Sequence, residues 1–135
     1  MNLPPADAPR RVLYLSADDL YKINEDVTQM LPLVRDRHLL HSAVRRPALQ
    51  LFGEAQFPTL AEKAAALLHS LAYHHLFADG NKRTALRAVT LFLERNGRRA
   101  TWTAAEEYQF ILEIAQGLRD VPEIAAWLET HTTAA

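Results

Sequence analysis

The segment HHLFADGNKRTAL, residues 74–86, sets a histidine, an acid, a glycine, an amide and two adjacent cations between two apolar, alanine-rich runs. A helix opening near Gly80 would present its first N–H groups unpaired, at the end where the aligned peptide dipoles leave partial positive charge. That is an anion site. Gly80 has no side chain to keep a ligand from the backbone, Lys82 and Arg83 add full charges, and Asn81 can donate and accept. Asp79 would repel a bare phosphate, so beside such a cradle it fits a magnesium ion bridging carboxylate and phosphate oxygens. His75 carries an imidazole, which can take a proton from an incoming hydroxyl. Together these are the parts of a phosphoryl or nucleotidyl transfer centre. Each has a plainer explanation too: His75 as a helix-ending cap, Asp79 as an N-cap, Lys82 and Arg83 as solvated surface. Two cations at a helix start oppose the dipole, however, and an anion there would account for them. Phe77 reads as an apolar peg holding the loop to the core.

Four helix starts are announced by a capping residue with an acid three positions on: Ser16 with Asp19, Thr59 with Glu62, Thr103 with Glu106, and Asp120 with Glu123. The last carries Pro122 in its first turn and should run to about His131. A short helix follows Asp36 and is stopped by Pro47. Two central helices are predicted, Thr59 to about Tyr73 and Asn81 to about Asn96, the second closed by Gly97. Both read as apolar nearly all round and hence buried, which makes the 74–86 segment a connector between two core helices. Val12 to Leu15 and Arg98 to Trp102 are short enough to pair as a minor β-ribbon. Arg45 to Pro58, with Pro47, Gly53 and Pro58 among Leu49, Leu51, Phe52 and Phe57, reads as a long irregular loop of the kind that is often functional. Met1 to Arg10 and Thr130 to Ala135 read as frayed ends around a core of about residues 12–131.

The 135 residues correspond to one domain, 1–135, able to bury a core without disulfides, and there is no cysteine. The N-terminal MNLPPADAPRR lacks the apolar stretch of a secretory signal, and no run nears the roughly 18 apolar residues of a membrane span. A cytoplasmic protein is expected, with no membrane association. A net charge of −1 gives no global field for nucleic acid, so any basic site is local.

The string His75-x-Phe77-x-Asp79-Gly80-Asn81-Lys82-Arg83 resembles the motif of the Fic/Doc superfamily. Its Lys82 form, continued as Thr84-Ala85-Leu86, is similar to the death-on-curing (Doc) toxins. Residues 39–47, 62–71 and 91–97 are also similar to Doc-type sequences, so the resemblance covers about 12–100. It implies an all-α fold with the motif between two central helices. It implies ATP and Mg2+ as ligands, with His75 the general base and Asp79 the magnesium ligand. Gly80 and Asn81 would cradle phosphate, and Lys82 and Arg83 would stabilise the charge in transfer. Fic enzymes pass AMP from ATP to a target hydroxyl, whereas Doc toxins hold the nucleotide reversed and pass the γ-phosphate. Two departures from the Fic pattern favour the kinase. Lys82 replaces a glycine and would fill the path of the Fic nucleotide, and Leu86 replaces a second arginine; Arg87, one position late on a helix of about 3.6 residues per turn, does not substitute for it. The 45–58 loop falls where the superfamily has a flap that receives the target polypeptide, often by strand addition.

Self-restraining Fic enzymes carry a helix with Ser or Thr, three residues, Glu, then Gly or Asn. Thr103 and Glu107 have the spacing, but Tyr108 follows and the segment reads as a capping box. The resemblance therefore implies a toxin of a type II toxin–antitoxin system, restrained in trans by a Phd-like antitoxin. Its substrate would be a Ser or Thr hydroxyl of a target protein; some relatives act on a translation elongation factor. Adenylyl transfer in the Fic manner and a non-catalytic anion- or nucleotide-binding module are the rival readings. A metal phosphohydrolase is disfavoured, since neither a His-Asp dipeptide nor His-Glu-x-x-His occurs. His69 and His74 read as structural, His38 and His41 as surface or flap-supporting.

Overall fold

The computed structural model describes residues 11–135. Among them the chain forms α1 (Ala17–Thr28), α2 (Arg37–Arg45), a 3-10 turn (Arg46–Ala48), β1 (Gln50–Leu51), β2 (Glu54–Ala55), α3 (Leu60–Tyr73), α4 (Asn81–Arg95), β3 (Arg98–Ala100), α5 (Ala104–Ala115), α6 (Val121–Thr130) and β4 (Thr132–Ala134). It is a helical fold with two small antiparallel ribbons. The capping residues begin the helices as their spacing predicts. Ser16, Thr103 and Asp120 form reciprocal capping boxes, and Thr59 and Asp36 accept the N–H three residues on. Gly97 closes α4 with φ +81°.

The middle of the fold is α3, packed on α6, α4, α5 and α2. Ala64, Ala65 and Ala66 have no exposed surface, and small side chains there let neighbouring helices approach closely. Buried Lys63 donates to the Phe57 carbonyl, and buried Ser70 accepts from Arg46 at 2.9 Å. α4 departs from the expectation of an all-round apolar helix. Arg83, Arg87 and Glu94 fall on one stripe and are exposed with Lys82 and Arg95, while Ala85, Ala88, Val89, Phe92 and Leu93 face the core. The run 88–93 looked uniformly apolar because the stripe passes through it only at half-buried Thr90.

The expected minor ribbon forms at Arg98–Ala100, but its partner is corrected. β3 pairs not with Val12–Leu15 but with β4, in the register Arg98↔Ala134, Arg99↔Thr133, Ala100↔Thr132. The carboxamide of Asn96 takes the place of a strand beside Leu13, accepting its N–H at 2.8 Å and donating to its carbonyl at 2.9 Å. The C-terminal residues are accordingly not frayed: Ala135 N–H reaches the Gly97 carbonyl at 2.9 Å. The Met1 to Arg10 expectation lies outside the described residues.

The 45–58 segment is not irregular. It is a two-stranded hairpin, Gln50↔Ala55 and Leu51↔Glu54, closed by Phe52-Gly53 with φ +53° and +80°. Positive φ at both positions makes a type I′ turn, whose twist suits a hairpin but strains a residue as bulky as phenylalanine. The hairpin is clamped at its base. Arg46 reaches Ser70 Oγ at 2.9 Å and His69 Nδ1 at 3.0 Å, with its guanidinium 5.6 Å from the Phe57 ring centre on the returning leg. Since arginine only donates, His69 must accept, which requires neutral imidazole. Burial, then the Arg46 charge, hold the His69 pKa below its ordinary value of 6.5; His74 adds to this and Asp120 opposes it. The unfolded chain therefore binds a proton that the fold refuses. Stability from this contact is present above about pH 6.5 and declines as pH falls from there toward the depressed folded pKa. Thermal melts from pH 7.5 to 5.5 should show a smaller loss of Tm in His69→Gln, whose amide oxygen can still accept from Arg46, than in the parent chain.

Candidate active site

The loop between α3 and α4 is organised as a single residue of β-strand. One edge of Phe77 faces the segment after α1, where Arg35 N–H meets the Leu76 carbonyl at 2.7 Å and Ala78 N–H meets the Leu33 carbonyl at 2.9 Å, giving a Val34↔Phe77 bridge. The other edge is taken by Asn81. Its Oδ1 accepts Phe77 N–H and its Nδ2 donates to the Phe77 carbonyl, both at 2.9 Å. The Phe77 ring is buried and meets Tyr21 edge-on at 6.3 Å. It is the peg the sequence suggested.

Asn81 thus ties its carboxamide to the loop, leaving its backbone N–H and one Nδ2 hydrogen for a ligand. The N-terminus of α4 stands open. The other five α-helices have a side-chain cap, whereas Gly80, at φ +73°, gives α4 none. Asp79 does not cap the helix; its Oδ1 accepts the N–H of its neighbour Gly80 at 2.8 Å. Among the described residues no acceptor reaches the N–H groups of Asn81, Lys82 and Arg83. Orphan N–H groups exposed in this way are what an anion would satisfy.

Glycine is needed at position 80 for a reason the sequence did not disclose. A Cβ there would lie 2.6 Å from Thr28 Cγ2 and 3.3 Å from Val27 Cγ2, at the C-terminus of α1. The missing side chain is thus required first by packing against α1.

His75, Asp79, Gly80, Asn81, Lys82 and Arg83 line one cleft of about 630 Å3, so the predicted site residues are brought together. Its far wall is α5, through Glu107, Tyr108 and Ile111. The sequence does not announce this wall, although Glu107 stands out there for its spacing from Thr103. The Trp102 Nε1–H donates to Glu107 Oε2 at 2.8 Å, and Thr103 pairs with Glu106 as the capping box predicted. Leu86 lines the cleft, while Arg87 turns to Asp26 on α1 at 2.9 Å. Arg83 donates from Nη1 to the Val27 carbonyl at 2.8 Å, a favourable place for a cation at the negative end of α1. No hairpin residue lines the cleft.

A family model described as Fic/DOC family matches residues 14–93, from the approach to α1 to the last turn of α4. The chain belongs to the Fic/Doc family. It is 42% identical over 104 residues to Toxin Doc of Mycolicibacterium smegmatis, covering 76% of this chain and 80% of that protein. It is also 53% identical over 38 residues to Protein kinase doc of Escherichia phage P1, covering 28% of this chain and 30% of that one. The Fic/Doc match holds the whole motif loop and the α1 surface it rests on, and stops short of α5. The matched span lies within the resemblance of about residues 12–100 read from the sequence. Among the described residues no helix is long and apolar enough to cross a membrane.

Within this Fic/Doc site the packing of Gly80 is open to a direct check. Gly80→Ala should lower stability by about 2–4 kcal/mol, combining left-handed strain with a steric clash. Thr28→Ser, which deletes the clashing methyl, should recover part of that loss in the double variant, as read by urea denaturation.

Proposed function

We propose that this Fic/Doc chain is a growth-inhibiting toxin of a toxin–antitoxin system. Its chemistry is transfer of the ATP γ-phosphate to a Ser or Thr hydroxyl of a target protein, and a Phd-like antitoxin restrains it in trans. The observation that carries the reading is the uncapped start of α4 opening into the same cleft as His75. The two relatives, one named a toxin and the other a protein kinase, support it.

His75 is exposed and has no partner of its own among the described residues, so its imidazole is free to accept a proton from a target hydroxyl. The hydroxyl oxygen then bonds to the γ-phosphorus as the bond to the bridging β–γ oxygen breaks and ADP leaves. The N–H groups of Asn81, Lys82 and Arg83 and the Lys82 ammonium meet the charge on the transferring group. Arg83 joins them by exchanging its Val27 contact for phosphate oxygens.

A magnesium ion fits the residues present. One Asp79 oxygen is held by Gly80 N–H and the other is left over, in keeping with an ion that uses one or two carboxylates and otherwise takes oxygens from phosphate and water. Among the described residues no cluster of three acidic or histidine side chains could hold a metal alone, so binding depends on the nucleotide. When bound, magnesium supplies neutralisation of phosphate charge. The placing of Leu86 in the cleft and of Arg87 on Asp26 favours the kinase over adenylyl transfer, since no second arginine stands ready for the outer phosphates of a Fic-oriented nucleotide.

The test is incubation with a cell extract and ATP labelled on either the α- or the γ-phosphate. Label should pass to a protein from the γ position only. Transfer from the α position would replace the kinase with an adenylyltransferase, and no transfer from either would leave a binding module. His75→Ala should lose about 100-fold or more in rate and abolish growth arrest, as should co-expression of the antitoxin.

The hairpin is our candidate for target docking. Phe52 at its tip is wholly exposed and strained. Phe52→Asn, which gives the Asn-Gly pair preferred in type I′ turns, should raise stability by about 1 kcal/mol while reducing target labelling and leaving nucleotide affinity unchanged.

A further inference from the structure

We infer that Asn24, a residue of α1 outside the motif and outside the cleft, is a positioning residue for the phosphate cradle. The inference rests on the transferase reading above. α1 turns an apolar stripe to the core through Leu20, Ile23 and Val27, and Asn24 lies on it at only 2% exposure. A buried carboxamide is costly unless its hydrogen bonds are made. Its Nδ2 makes two, to the Asp79 carbonyl at 2.9 Å and to Thr84 Oγ1 at 3.1 Å. The carbonyl can only accept, which fixes the amide group with its nitrogen toward the loop.

The two partners bracket the cradle. Asp79 is the last residue before the left-handed Gly80, and buried Thr84 closes the first turn of α4, its N–H on the Gly80 carbonyl at 2.8 Å. The peptide plane between Asp79 and Gly80 is therefore held at both ends, the carbonyl by Asn24 and the N–H by Asp79 Oδ1 at 2.8 Å. Rotation of that plane would swing the Asp79 carboxylate and re-aim the N–H groups that follow. One amide from a distant helix opposes the rotation. Asn24 touches no ligand position itself; it acts through Asp79 and the start of α4.

A purely structural role would tie α1 to α4 without affecting ligand binding, and full-length variants separate the two. Ile23→Val, a mild core lesion on the same stripe, serves as the stability control. In Asn24→Ala, calorimetric titration with a non-hydrolysable ATP analogue and Mg2+ should show affinity lowered by about tenfold, the equivalent of one buried hydrogen bond, with Ile23→Val near the parent value. Asn24→Asp should bind poorly at pH 8 and recover toward pH 5.5, where a protonated carboxyl can donate to the Asp79 carbonyl. In the free protein, Gly80 amide exchange should accelerate in Asn24→Ala beyond any change in global stability. Parent-like affinity and Gly80 exchange in Asn24→Ala, with only Tm reduced, would overturn the inference. If the parent chain fails to bind the analogue, the transferase reading falls instead, and Gly80 exchange alone still decides whether Asn24 positions the loop.

Discussion

The site depends on how the two edges of Phe77 are satisfied. A single extended residue cannot hold a loop in place by its own conformation, because its N–H and carbonyl point one way and those of its neighbours point the other. Here the segment 33–35 takes the neighbours' groups and the Asn81 carboxamide takes those of Phe77. With the ring buried beneath, the loop cannot slip in register without breaking both sets of bonds and exposing a phenylalanine. Fixing Phe77 fixes the entry angle of α4.

That lock permits a helix start that is poor by local standards. α4 has glycine in place of a capping side chain, a loss of roughly a few tenths of a kcal/mol, and places two cations against the positive end of its own dipole. Arg83 relieves part of the second fault by reaching across to the negative end of α1. The remaining unpaired N–H groups are tolerable because tertiary bonds elsewhere hold the geometry. Breaks with local rules of this kind are expected at functional or strained sites.

What the sequence disclosed follows the range of the interactions. Capping boxes are local, and the starts at Ser16, Thr59, Thr103 and Asp120 were legible from residues three apart. The motif loop was legible because its residues are contiguous, and its fall between two core helices follows from the apolar runs on each side. The pairing of β3 was not, since Arg98–Ala100 finds its partner in the last few residues and nothing near either strand announces it. The same holds for Gly80, whose glycine is dictated by Thr28, and for Asn24, visible beforehand only as a polar residue on an apolar stripe. The hairpin was hidden by Phe52, since the usual sign of a type I′ turn is Asn-Gly or Asp-Gly.

The distances along the chain also set an order of assembly. Asn24 is 55 positions from Asp79 and Arg83 is 56 from Val27, whereas each capping box closes within three. On a ribosome, α1 can coil as soon as it leaves the exit tunnel, but the open helix start has no fixed direction until α4 has followed and closed back upon it. A nascent chain is therefore without its motif cleft until more than half of it has been made.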